Sequence, residues 1–265
     1  MQTAQPAGTT WGVEVPFVVA TPRVRAMEAV LGYQATAGLV FGAALPALAL
    51  PTVDFRVVPD LLRLSLSSLA VKRTLPLQVD DGLTCRVTWA GKTEHATGTL
   101  LLLEGAVTNQ RAHTVAHLQA TLLLRGARRR RELRAQAEET AQQHQAFLDK
   151  PECFSAALSI GGPVLAAWAD AIGQREPMSL NDDVARLAGL PRALVPHVLL
   201  FARVEDLLRE AALHGEGRFV RAQFIRPALV DDPLVLSVRG SLGARSFRLT
   251  GVDNDVILAG TLEDG

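Results

Sequence analysis

Alternation of apolar and polar side chains dominates this chain, and a period of two is the signature of half-buried strands. In the first half the pattern predicts strands at Leu66–Arg73, Thr84–Ala90, Gly98–Gly105 and Thr114–Leu124. In the second half it predicts them at Phe154–Ile160, Arg218–Ile225, Leu234–Arg239, Ser246–Thr250 and Val256–Leu262. A helical period replaces it at Val24–Leu31, Pro163–Gly173, Asn181–Ala188 and His197–Leu213. The last helix carries Leu200, Val204, Leu207, Leu208 and Ala211 on one stripe, with Arg203, Glu205, Asp206, Arg209 and Glu210 elsewhere. Such a chain builds a curved antiparallel sheet with helices buried against it, an α+β arrangement.

One stretch occurs twice. Leu75–Val87 (LPLQVDDGLTCRV) matches Arg226–Val238 (RPALVDDPLVLSV) without a gap. Pro76 pairs with Pro227, Val79 with Val230, the acidic pairs with each other, and Leu83 with Leu234. Each copy reads as a strand end, a proline, an acidic turn and an alternating strand. Two copies so far apart indicate a duplicated unit rather than a solenoid.

Composition narrows the field. Of 265 residues, 48% are apolar, which suffices for a large core. Lys+Arg and Asp+Glu both number 27, so no global field favours nucleic acid. Two cysteines, Cys85 and Cys153, are too few for a disulfide framework, and a cytoplasmic location is expected. The opening MQTAQPAGTT lacks a basic, then apolar leader, and residues 1–10 are expected to be a loose tail. The apolar run Ala37–Val53 is broken by Pro46 and Pro51, so no membrane span is expected. Residues 126–150 are expected to be a linker, opening on a basic cluster that contains the four arginines 128–131. Those arginines suit either a solvated face or a phosphate-bearing ligand, and no interleaved aromatics point to nucleic acid. No metal-ligand cluster or phosphate loop is present.

Residues 168–203 read WADAIGQREPMSLNDDVARLAGLPRALVPHVLLFAR. In layout this segment resembles the hydratase motif of the MaoC-like (R)-specific enoyl-thioester hydratases and dehydratases. That motif runs A-x-S-G-D-x-N-P-I-H-x-D, then a short helix, then G-F-P-R-x-I-x-H-G-M. Gly173, Pro177, Arg186, Gly189, Pro191 and Arg192 fall in register with it. The resemblance implies a double hotdog, one extended curved antiparallel sheet with central helices. It implies a non-catalytic N-terminal hotdog at 11–125 and a motif-bearing one at 151–265. The second sheet is expected to wrap around Pro163–Gly173, with a shorter or displaced helix in the first half. Leu61–Leu69, Leu100–Leu103 and Leu122–Leu124 would line an acyl tunnel or serve as ordinary core.

The catalytic letters of that motif are changed. The family's Asp aligns with Gln174 and its His with Ser179. Gln does not titrate, and a Ser hydroxyl without a neighbouring base is a poor proton acceptor. Losing a positioned acid–base pair removes about 10² to 10⁴ in rate for each group. Ser179 also begins S-L-N-D, and the spacing predicts an N-cap there for the following helix. Asp170, one turn before Gln174, and His197 are candidate substitute acids or bases. The backbone N–H of His197 stands where the family's Gly polarises the thioester carbonyl. Gly173, Asn181, His197 and Arg203 are the candidate substrate contacts. The expected ligand is an acyl-CoA or acyl-carrier-protein thioester, with no cofactor and no metal. The alternatives are an active 3-hydroxyacyl dehydratase using substitutes, or a non-catalytic scaffold or partner subunit whose pocket is closed; the expected assembly is a homodimer or a pairing with a partner subunit.

Overall fold

Among the described residues, the nine alternating segments and one further segment form ten antiparallel strands of one sheet. The structure, a computed structural model, describes residues 12–18, 22, 25, 26, 28, 64–76, 81–95, 97–125, 143, 145–172, 177–187, 189–214 and 219–263. The strands are β1 (Gly12–Val18), β2 (Leu64–Arg73), β3 (Gly82–His95), β4 (Gly98–Thr108) and β5 (Thr114–Arg125) in the first half. The second half supplies β6 (Glu152–Leu158), β7 (Phe219–Phe224), β8 (Leu234–Arg239), β9 (Arg245–Thr250) and β10 (Val256–Glu263). Every strand expected from alternation forms. β1 is an addition, and it contains Pro16, which donates no ladder hydrogen bond and is tolerated because β1, among the described residues, is an edge strand paired to β3 alone.

Strand order is β1-β3-β4-β5-β2-β7-β10-β9-β8-β6. Taken from its own edge inward, the second half repeats the order of the first. The two meet at a seam where β2 pairs with β7, from Ser68↔Gln223 to Lys72↔Phe219. At its centre Ala70 faces Arg221, and these residues are separated by the same number of positions as Pro76 and Pro227. The sequence repeat and the seam therefore share one approximate two-fold axis.

The second acid of the repeated turn is tied down in both halves. Gln110 donates to Asp81 and accepts from the Gly82 N–H, each at 3.0 Å. Asp232 accepts from the Leu229 N–H at 3.1 Å and forms an ion pair with Arg192.

Four helices are named: α1 (Gly162–Ile172), α2 (Pro177–Leu180), α3 (Asp182–Leu187) and α4 (His197–Glu210). The core helix is α4, which corrects the expectation that the sheet wraps around 163–173. Leu199, Leu200, Phe201, Ala202, Val204 and Leu208 of α4 are fully buried. α1 buries Leu165, Trp168, Ala169 and Ala171 but exposes Pro163, Ala166 and Asp170. The difference lies in enclosure: α4 is buried around most of its circumference, its polar Glu205 and Asp206 included, and α1 on one side only. Residues 25, 26 and 28 of the expected first-half helix are helical, and the rest of it lies outside the described residues.

Leu69, Leu101, Leu103 and Leu122 join one hydrophobic core with α4, and Leu66 and Leu124 pack against it. Residues 61–63 of the expected tunnel lining, the arginine run, and 126–142 of the expected linker lie outside the described residues. The end of that linker is built in. Residues 145–148 are helical, and Phe147 is buried beneath Arg248 and Arg239, whose guanidinium carbons lie 4.4 Å and 5.5 Å from its ring centre. Arg248 donates to the Gln143 carbonyl at 2.7 Å and Arg239 to the Leu148 carbonyl at 2.8 Å. Among the described residues, no helix is long and apolar enough to cross a membrane.

Candidate functional site

The motif segment folds as two short helices between α1 and α4. Pro177 opens α2, as a residue of fixed φ without a useful N–H suits a first helical position. Ser179 lies inside that turn and is 4% exposed. It therefore does not cap the next helix, which corrects the expectation from S-L-N-D. Asn181 is the cap: its side-chain oxygen accepts from the N–H groups of Asp183 at 2.8 Å and Val184 at 3.3 Å. Arg186 in the last turn of α3 pairs with Asp183 at 2.9 Å and Asp182 at 3.5 Å in the first. The expected stop holds. Gly189 takes φ +84, the left-handed conformation that favours glycine, and Leu190 N–H returns to the Ala185 carbonyl at 3.0 Å.

Beyond Gly189 the chain doubles back along α2. Ala193 N–H donates to Asp182 at 2.8 Å, Leu194 N–H to the Met178 carbonyl at 3.1 Å and Val195 N–H to the Ala228 carbonyl at 2.8 Å. This delivers His197 to the start of α4, after Pro196 and with no side-chain cap. The His197 ring stacks on Phe224 of β7, with centroids 4.5 Å apart and planes at 16°.

A cleft of about 480 Å³ opens beside Ser179. Gly162, Leu165 and Ala166 of α1 form one wall, Ser179, Leu180 and the 181–183 turn another, and Ala193 and Val230 complete it. Of the candidate residues it gathers Ser179 and Asn181. Asp170, His197 and Arg203 are not among its lining, and all of its described lining comes from the second half. Asp170 is exposed on α1, and Arg203 pairs with Asp206 at 3.1 Å. Gly173 and Gln174 lie outside the described residues. The cleft wall thus offers a hydroxyl, an amide and carboxylates paired to Arg186, with no imidazole among its described lining. Among the described residues, no three metal-ligating side chains converge.

Alternation gave no warning of a second polar cluster. Glu205 and Asp206, on the polar side of the expected amphipathic helix, are 0% and 1% exposed, because α4 is enclosed on that side too. Glu205 Oε1 lies 2.8 Å from Arg73 Nε, at the end of β2, and 3.4 Å from His214 Nε2. Burial alone would raise the Glu205 carboxyl; Arg73 and then His214 overcome it and hold it below its ordinary value. Asp206 goes the other way, pushed up to about 6 by burial against the opposing pull of Arg203. Burial likewise pushes the Cys85 thiol up to about 12, which removes it as a nucleophile.

No family model matches the chain, and no curated protein matches its sequence. Solved structures do. HtdX of Mycobacterium tuberculosis is 19% identical with a TM-score of 0.74, over 96% of this chain and 100% of that one. A MaoC-like dehydratase from Phytophthora capsici is 12% identical with a TM-score of 0.70, over 97% of each chain. The chain has the double-hotdog fold of the MaoC-like dehydratases. An acyl-ACP thioesterase from Bacteroides thetaiotaomicron shares it more distantly, at 10% identity and a TM-score of 0.57 over 95% of this chain and 97% of that one. Within the double hotdog, α4 is the central helix of the second half.

Proposed function

We propose that this double-hotdog protein binds acyl thioesters, of coenzyme A or of an acyl-carrier protein, at a dehydratase site that has lost its acid–base pair. The observation that carries the reading is Ser179. It aligns with the family's catalytic His, and it lies buried in the wall of an open cleft whose described lining includes no imidazole. Gln174, aligned with the catalytic Asp, supplies a second neutral hydrogen-bonding group. Such a site holds a thioester without consuming it, which suits a carrier, sensor or partner subunit. The half at 151–265 carries the site, and the half at 11–125 is the non-catalytic companion. Intracellular thioesters are the ligand pool it implies, in keeping with the free thiols of Cys85 and Cys153.

Two measurements test this. Hydration of crotonyl-CoA and longer enoyl-CoAs is expected at background, because neither 174 nor 179 titrates near neutrality. Calorimetry with saturated acyl-CoAs is expected to show binding that strengthens with chain length, by up to about 0.8 kcal/mol per buried methylene. The variant S179F, which fills the cleft wall, is expected to abolish that binding. Turnover that disappears on changing Asp170 or His197 would establish the active-dehydratase alternative. Absence of binding at every chain length would establish the scaffold.

A further inference from the structure

The cleft beside Ser179 is built where two helices begin. Gly162 opens α1 and lines one wall, and the 181–183 turn that starts α3 forms another. A helix start carries the partial positive charge of its free N–H groups and draws anions. Here the chain supplies carboxylates to both starts itself. Asp182 and Asp183 stand in the first turn of α3. The first turn of α1 has no acid of its own, and Asp231 reaches it from the turn before β8. The Asp231 Oδ1 lies 3.1 Å from the point where a Cβ on Gly161 would stand. Asp231 holds that place at φ +62, a left-handed conformation that Asp tolerates better than most side chains. Its backbone N–H donates to the Ile160 carbonyl at 3.0 Å.

The neighbouring cations are already matched. Arg186 pairs with Asp183 at 2.9 Å and Asp182 at 3.5 Å, and Arg192 pairs with Asp232. Asp231 has no ion pair of its own. Among the described residues, the cleft and its border therefore set four carboxylates, at 182, 183, 231 and 232, against the two guanidiniums of Arg186 and Arg192. Between them lie the apolar side chains of Leu165, Ala166, Ala193 and Val230. An ionised group entering there sheds water among apolar walls, and like charges repel more strongly in such surroundings than in bulk solvent.

We infer that this excess of carboxylates makes the cleft selective against acyl chains that end in a carboxylate, so that it takes thioesters of monocarboxylic acids and rejects those of dicarboxylic acids. The inference rests on the thioester reading of the cleft given above and narrows its ligand class.

Three ligands of matched chain length separate the sign of a charge from its desolvation: hexanoyl-CoA, its ω-carboxyl analogue adipoyl-CoA, and ω-aminohexanoyl-CoA. The charges of the coenzyme are common to all three. Both ionic end groups lose water on entry, so the gap between them reads the sign of the surrounding charge. Calorimetry at low salt is expected to show adipoyl-CoA binding at least about tenfold more weakly than ω-aminohexanoyl-CoA. The gap is expected to close in D183N/D231N, and also in 1 M salt, where the screening length falls to about 3 Å. Asn accepts the left-handed conformation at 231, and the Asn181 cap contacts only the backbone of Asp183, so the double variant keeps the cleft. Equal weakening of both charged ligands relative to hexanoyl-CoA would overturn the inference alone, as would tighter binding of adipoyl-CoA or a gap that persists in D183N/D231N. Absence of binding by hexanoyl-CoA and by both analogues would overturn the thioester reading of the cleft, and this inference with it.

Discussion

A methyl group at Gly260 would overlap the Arg221 carbonyl oxygen and the Phe247 ring, because β10 passes between β7 and β9 at that point with no room for a side chain. The variant G260A is expected to cost at least about 2 kcal/mol. The loss should appear as a fall of about 2–4 °C in melting temperature for each kcal/mol in a chain of this size. Asp206 gives a pH test. Its folded pKa of about 6 lies above its ordinary 3.8, so its contribution to stability is complete below the ordinary value and is lost as pH rises through 6. Asn keeps the neutral form at every pH. The stability of the natural chain relative to D206N is therefore expected to fall between about pH 4 and 7 and then level off, as denaturant melts across that range would show. Glu205 has the opposite sign, keeping its contribution above the ordinary carboxylate range and losing it only in acid.

At the scale of elements, the strands were legible because a half-buried strand writes its two faces directly into the sequence. β8 falls at Leu234–Arg239 as alternation predicts. β1 was not legible, because Pro16 argues against a strand until its edge position is known. The helix that fills the core was ranked wrongly for a similar reason. A polar side in a helical pattern normally means solvent, and the sequence does not reveal that Arg73 and His214 wait on that side of α4. The cap moved from Ser179 to Asn181 because Pro177 starts a separate turn, which shifts the helix boundary by two residues. Phe147 was hidden in a polar stretch, since its arginine partners lie far along the chain. The variant F147A is expected to cost about 3 kcal/mol, and to expose 143–150 to protease and amide exchange before the rest of the second half.

At the scale of the molecule, the fold was legible from the repeat and from the register of the motif, whereas the state of the site was only half legible. The proposed loss of the acid–base pair rests on the residues at 174 and 179 in the sequence. That Asp170 faces outward and that the His197 ring rests on Phe224 required the packing. Those placements bear on rescue. Q174D/S179H is expected to recover little hydration activity in a coupled enoyl-CoA assay, because neither Asp170 nor His197 lines the cleft to support a restored pair.

The clamp on Phe147 has a consequence for the chain as a polymer. With 143–150 fastened to β8 and β9, the covalent tether joining β5 to the second half ends at residue 143 rather than at the start of β6. A shorter tether raises the effective concentration of β2 at β7, and that gain grows as the connection shortens toward the span it must bridge. The arginines gripping one aromatic ring thus act at a distance, biasing the seam to close within a chain before a neighbouring chain can reach it.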